Sequence, residues 1–304
     1  MLQMADRGLA MTIPAITVII PAYGPSPHLS AVLQALGGGA LQPDEIIVSH
    51  SGSDDPSDLI RQLFPHVKII HTDERRFAGQ ARNVGARVAE NPVLAFCDSD
   101  TIPDRDWLKN AAEALTAQPE TFIVGSVGYA ITGGYWGMAT WIAEFSEQAP
   151  WRPGGEQNGG ASCNFICLAA DLNRAGYFPD EQAIGEDTLV FAKLRSNGLR
   201  QIFLPSAKVG HCNISGFRHF CKHVHGHGFA SVSIRRKFNL PGSFAVRFWP
   251  ISIMLWIVKI IKITRRILES GRGRFRKLGY FMPAIILAAF IWQTGAIKGL
   301  LAKS

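Results

Sequence analysis

Acidic residues all but vanish from the last third of this chain. From Lys208 onward Glu269 stands alone against 17 lysines and arginines, a net charge of +16. The first 207 residues hold 23 acids against 14 bases, a net of −9, so the overall +7 hides two regions of opposite sign. An anionic partner is therefore expected at the C-terminal region. Cysteine is also scarce. The five cysteines are odd in number and form no CxxC pair, which argues against a disulfide framework and a zinc ribbon and suits a reducing compartment. No repeat of fixed period is present. Gly226-His227-Gly228 fails as a phosphate-cradling loop because Ser231 stands where a third glycine belongs. The only early apolar run, residues 16–20, is too short for a secretory signal and lacks the basic flank, and residues 1–13 are read as a leader.

The 304 residues, 47% apolar and 18% charged, suffice for one large globular domain with a smaller appendage. The first hundred residues alternate short β-branched runs, turns rich in Gly, Pro, Ser or Asp, and stretches of helical period. Strands are expected at 16–21, 45–49, 67–71 and 93–97, and helices near 28–36, 57–63 and 78–89. That alternation predicts an α/β fold with a buried, mostly parallel sheet. Ligands of such sheets gather beyond the carboxyl ends of the strands, where Ala22-Tyr23-Gly24, His50-Ser51-Gly52-Ser53 and Asp98-Ser99-Asp100 all lie. Further on, a strand at 122–127, a helix around 136–145, a glycine-rich loop at 154–160 and a helix after Gly185-Glu186-Asp187 are expected.

Two apolar segments follow. Residues 248–258 are eleven uncharged residues, about half of what a bilayer crossing takes, whereas residues 278–297 are twenty, and at about 1.5 Å per residue these could span. The connector between them carries a net +6, which by the positive-inside tendency keeps it cytoplasmic. The first segment is expected in the membrane interface with Trp249 and Trp256 at headgroup level, followed by one span or a second in-plane helix. Basic residues interleaved with Ile, Leu, Phe and Trp argue against nucleic acid as the partner.

Asp98 and Asp100 emerge together at a strand end. Two carboxylates held close repel unless a cation or proton neutralises them, and hard oxygen ligands favour Mg²⁺ or Mn²⁺. Alone, D-x-D is more commonly a solvated turn with an Asx bond. The sequence around it, however, resembles the family 2 inverting glycosyltransferases of the GT-A fold in six elements in order. These are Ile16-Thr17-Val18-Ile19-Ile20-Pro21-Ala22-Tyr23, Glu45-Ile46-Ile47-Val48 with Gly52-Ser53-Asp54-Asp55, and Ala81-Arg82-Asn83-Val84-Gly85. They continue with Ala95-Phe96-Cys97-Asp98-Ser99-Asp100, Gly185-Glu186-Asp187 and Val209-Gly210-His211.

The resemblance covers roughly residues 14–235. It implies a GT-A-like catalytic domain over 14–243, a Rossmann-like mixed sheet flanked by helices, with 244–304 as a basic, membrane-associated helical region. It also implies transfer of a sugar from a nucleotide-diphosphate donor to an acceptor glycan or lipid-linked sugar. Asp98 and Asp100 match the metal–diphosphate motif, His211 a third metal ligand of some relatives, and Asp187 the catalytic base. Pro21, Ala22, Tyr23, Arg82 and Asp98 match donor-contacting positions. His50 stands where the family usually has an acid against the nucleotide base, and Gly24 where Asn is common; uridine specificity does not follow.

A helix N-terminus after Asp187 would favour its ionised form, although Glu186 and Asp187 could equally cap that helix. Glu186, Arg235 and Arg236 are candidates for acceptor or diphosphate contacts, Arg235 and Arg236 also for lipid headgroups. His219, His223, His225 and His227, with Cys221, look like a metal cluster, but zinc is disfavoured because no acid or matched cysteine pair completes a tetrahedral set, and a pH-sensitive or acceptor-facing surface is expected instead. The glycines of loop 151–164 would let it move as a lid over an acceptor. The expected location is the cytoplasmic face of the cell membrane. A silent nucleotide-sugar-binding module and a nucleotidyltransferase are the competing functions.

Overall fold

The computed structural model describes residues 13–181, 184–248, 254–271 and 273–302. The expected leader 1–13 lies almost wholly outside the described residues, as does Trp249. Three β-α units and a fourth strand open the chain: β1 (Ile16–Tyr23), α1 (Leu29–Gly37), β2 (Glu45–Ser51), α2 (Ser57–Leu63), β3 (Val67–Thr72), α3 (Ala78–Val88) and β4 (Val93–Cys97). β1 is shielded from solvent on both faces, which is why it reads as a continuous apolar run. Val18, Ile19 and Ile20 are each fully buried, a contribution of roughly 1.5–3 kcal/mol per side chain.

The remaining elements are β5 (Thr101–Pro103), α4 (Trp107–Ala117), β6 (Thr121–Ile131), α5 (Gly134–Phe145), β7 (Gly155–Glu156), β8 (Asn164–Leu168), α6 (Ala169–Arg174), α7 (Glu186–Ser196), β9 (Arg200–Cys212), α8 (Phe217–Phe238), α9 (Ser243–Arg247), α10 (Leu255–Leu268) and α11 (Arg274–Leu301). The sheet runs β3-β2-β1-β4-β8-β6-β9-β5, with β7 on β9. β1 to β4 pair in parallel, whereas β8 runs antiparallel to β4 and β6, so the sheet is mixed. β2 and β4 flank β1, so the connections leave to opposite sides there and a crevice opens at the strand tips.

The C-terminal helices are built into this body. Ile263 and Ile267 of α10 and Ile285 of α11 belong to the same buried cluster as Val18, Ile20 and Trp141. α11 lies along α8, where Gly228, Gly295 and Gly299 let the backbones meet: a Cβ on Gly228 would strike the Trp292 carbonyl, and one on Gly295 the His225 carbonyl. α11 is the one helix among the described residues long and apolar enough to cross a membrane, yet 44% of its apolar window is buried against protein. Phe275, Tyr280, Phe290 and Leu301 remain outside. Trp256 stacks on Phe290 with ring centroids 4.7 Å apart, so its ring is partly engaged within the protein.

Candidate active site

Apolar strand β4 delivers Asp98 and Asp100 to the crevice. Beyond Cys97 the chain turns at once, with the Thr101 amide and hydroxyl both donating to the Asp98 carbonyl at 3.0 Å, and this turn projects the two carboxylates on the same side of the sheet's end. β5 then pairs antiparallel with β9, so Thr101 faces His211, and the Cys212 amide donates to the Asp100 carbonyl at 2.8 Å. That ladder brings His211 Nε2 to 3.6 Å from Asp100 Oδ2. The other ring nitrogen, Nδ1, lies 2.8 Å from Asn213 Oδ1, a partner that can only accept, so Nδ1 donates there and Nε2 is the ring atom nearest Asp100. Two carboxylates and one imidazole so held suit a hard divalent cation. Burial raises the Asp100 carboxyl above the ordinary carboxylate range, more than His211 lowers it, and the neighbouring Asp98 carboxylate adds to the rise.

Arg82 ties this wall to the opposite one. It sits on α3, which packs closely on β1 because Gly85 has no side chain: a Cβ there would stand 2.6 Å from Ile19 Cγ2. Arg82 is only 2% exposed, and its fork donates from Nη2 to Asp98 at 2.6 Å and from Nη1 to Glu186 at 2.9 Å. Burial disfavours its charge, but the two carboxylates outweigh this and the guanidinium is held protonated more firmly than usual. Glu186 is engaged by Arg82 through Oε1 and lines the same cleft as Asp98.

Asp187 follows a turn that only glycine suits. Gly185 has φ +86°, and a Cβ on it would collide with Ile234 of α8. The Asp187 side chain lines the same cleft as Asp98, Asp100 and His211, a cavity of about 390 Å³. Its Oδ1 accepts from the Thr188 amide at 2.6 Å. The helix N-terminus was expected to favour ionisation, but burial, helped by Glu186, wins and pushes the carboxyl up to about 7.

The remaining expected residues divide. Pro21 and Ala22 are buried at the tip of β1, while Tyr23 is exposed with the Arg75 guanidinium over its ring at 4.8 Å. His50 pairs with Ala22 across β1 and β2 and is buried, with Nδ1 2.9 Å from His71 Nδ1 and Nε2 3.1 Å from the Gly24 carbonyl, so both ring nitrogens have partners within the protein. Arg235 lines a second cavity on the far side of Asp187. Arg236 does not: neighbours on a helix point about 100° apart, and its guanidinium bonds the Leu300 carbonyl at 2.5 Å instead.

The histidines need a correction. No acid was found for them in the sequence nearby, yet Glu144, on α5 and 79 residues from His223, sits 2.6 Å from His223 Nε2 and 3.6 Å from His227 Nε2. One ligand atom from each of the three lies within 4.8 Å of the others, a set able to hold a metal ion. Burial opposes ionisation of Glu144, but His223 and His227 outweigh it and hold the carboxyl down at about 2. Glu144 carried no local signal; only its place on α5 about one turn after the buried Trp141 could have suggested it.

The model of the family described as Glycosyl transferase family 2 matches residues 17–177, more than half of the chain. The chain belongs to glycosyl transferase family 2. Within the family it is 26% identical over 132 residues to the glycosyltransferase AglE of Haloferax volcanii, covering 41% of this chain and 43% of AglE. It is 24% identical over 230 residues to the pre-mycofactocin glycosyltransferase of Mycobacterium tuberculosis, 72% of this chain and 48% of that one. The chain thus spans less than half the length of these relatives. Among solved structures it resembles the mannosyltransferase PcManGT of Pyrobaculum calidifontis, solved with GDP-Man and Mn²⁺, at a TM-score of 0.63 and 20% identity over 96% of this chain and 89% of that one. The family 2 chain thus has the GT-A fold, its C-terminal helices included in the likeness.

Proposed function

We propose that this family 2 chain transfers a sugar from a nucleotide-diphosphate donor to an acceptor hydroxyl, with inversion at the transferred carbon. The observation that carries the reading is that Asp98, Asp100 and His211 share one cleft with Asp187, linked by the Arg82 bridge. The Pyrobaculum mannosyltransferase, solved with GDP-Man and Mn²⁺, supports the donor class. Asp98, Asp100 and His211 would hold a divalent cation, Mn²⁺ or Mg²⁺, which when bound neutralises charge on the departing diphosphate.

Asp187 acts as the base. Its Oδ1 is held by Thr188, which leaves Oδ2 to take the acceptor proton as the acceptor oxygen bonds to the sugar carbon and the bond to diphosphate breaks. A base near 7 is matched to neutral conditions, so transfer should rise with pH through about 7. Arg82 keeps Asp98 and the start of α7 in register across the cleft.

Attachment of the chain at the cytoplasmic face of a membrane belongs to the same reading. Val258 and Ile261 of α10, with Arg265 on the same helix, and Phe290 and Ile297 of α11 are exposed, a surface suited to lying in the plane of an anionic bilayer. The proposal is tested by Asp187→Asn, expected to keep donor binding while transfer falls about 10³-fold, and by Asp98→Asn with Asp100→Asn, expected to abolish metal-dependent donor binding. Normal turnover by Asp187→Asn, or release of pyrophosphate in place of a nucleoside diphosphate, would overturn it.

A further inference from the structure

The cleft does not end at Asp187. A second cavity of about 390 Å³ continues past it, walled by Asp187, Glu144 and Thr188 on one side and by the C-terminal helices on the other. Four cations line this cavity: Arg235 from α8 and Lys259, Lys262 and Arg266 from α10. None of the four lines the cavity that holds Asp98 and Asp100.

The charges do not cancel. Glu144 is engaged by His223 and His227, and Glu147 by Arg266 at 3.0 Å. Arg235, Lys259 and Lys262 have no carboxylate within ion-pair distance among the described residues. Arg235 folds back to donate to the Ser231 carbonyl at 2.9 Å and to its hydroxyl at 2.6 Å. Lys259 rests 5.3 Å from the centre of the Trp292 ring, with the Ala143 carbonyl at 3.5 Å. Burial, then Arg266 beside it, pushes the Lys259 ammonium down to about 8, more than the Glu147 and Glu144 carboxylates raise it. One carboxylate would need one of these groups; three unpaired cations around one space fit the several oxygens and multiple charge of a phosphate or diphosphate.

We propose that this cavity is the acceptor subsite and that the acceptor carries a phosphate or diphosphate group, held by Arg235, Lys259 and Lys262 so that its hydroxyl reaches Asp187. This rests on the sugar-transfer reading for the role of Asp187, but the anion site itself does not. It also explains why the basic residues lie on helices folded into the body of the protein. The phosphate could be borne by a lipid, entering along the apolar face of α10 and α11, or by a soluble acceptor.

The test is calorimetric titration of the full chain carrying Asp98→Asn and Asp100→Asn, in chelator, with inorganic pyrophosphate. Neither donor nor metal is present, so failure of the transfer reading cannot affect the result. Pyrophosphate is expected to bind, and Lys259→Met with Lys262→Ala to weaken it at least tenfold. Lys262→Ala alone, an exposed change that leaves folding intact, should weaken it about threefold, while Lys222→Ala on the outside of α8 should leave it unchanged. Farnesyl diphosphate binding tenfold more tightly than pyrophosphate supports a lipid-borne phosphate; equal binding supports a soluble one. Absence of pyrophosphate binding, or equal affinity in the lysine variants, overturns the proposal.

Discussion

The two walls of the cleft are built in different ways. On the β1–β4 side, each side chain stands at the tip of a strand whose neighbours are fixed by backbone pairing, and Asp98 and Asp100 are two residues apart. On the opposite side, Glu144, His223, Arg235 and Lys259 come from three helices spread over more than a hundred residues, held by side-chain packing and by close helix contact at glycines. The first wall should therefore tolerate side-chain changes with its geometry intact, whereas the second should lose its geometry when the packing behind it is disturbed.

The strongest way to break this contrast is at the α8–α11 seam. Gly228→Val should destabilise the chain by about 3 kcal/mol, because the added carbons meet the Trp292 backbone and not a movable side-chain end. A thermal melt reads the loss, and donor binding measured below the melt should survive. Next, Glu144→Gln should cost about 2 kcal/mol by removing a charge-assisted bond to His223. The sign with pH follows from the two partners. Glu144 is held low, so its contribution is present above its ordinary value of 4.5 and lost as pH falls toward about 2. Burial lowers His223 but Glu144 outweighs it and the imidazole is raised, so its contribution is present below 6.5 and lost as pH rises through the raised value. Denaturant midpoints should therefore differ most between parent and Glu144→Gln at pH 4.5–6.5, and an equal difference at pH 9 would refute the pairing.

On the strand-tip wall, Arg82→Lys should raise the donor dissociation constant about tenfold, or about 1.4 kcal/mol, since one ammonium cannot serve Asp98 and Glu186 as the fork does. Folding should change less than with Gly228→Val. Lys208→Ala, which removes the exposed pair with Asp104, should have the smallest effect, under about 1 kcal/mol in melting experiments.

The same contrast explains what could be read from the residues alone. The strand tips were legible because period-two and apolar runs end in local turn residues: β4 lies at 93–97 as expected, and β1, β2 and β3 each start at the expected residue and run one or two residues longer. The helix after Gly185 was legible from the same punctuation. β8 was missed because Asn164-Phe165-Ile166-Cys167-Leu168 is a short apolar run without alternation, and its polar Asn164 is buried to bond Trp107 Nε1 at 2.8 Å. β5, three residues long, had no period to detect. Glu144 and the inward turn of Lys259 depend on contacts across more than seventy residues, which no local pattern encodes. His50 was placed correctly at a strand end, but its partner His71 comes from the next strand, and that pairing engages Nδ1 of the ring.

The bond from the Cys212 amide to the Asp100 carbonyl ties together the main chains that carry two of the proposed cation ligands. An arriving ion would meet Asp100 and His211 with their spacing already set and little chain freedom left to surrender. Ion capture would then leave the protein's shape largely as it was, and amide exchange along 209–212 should be slow before any ion is added.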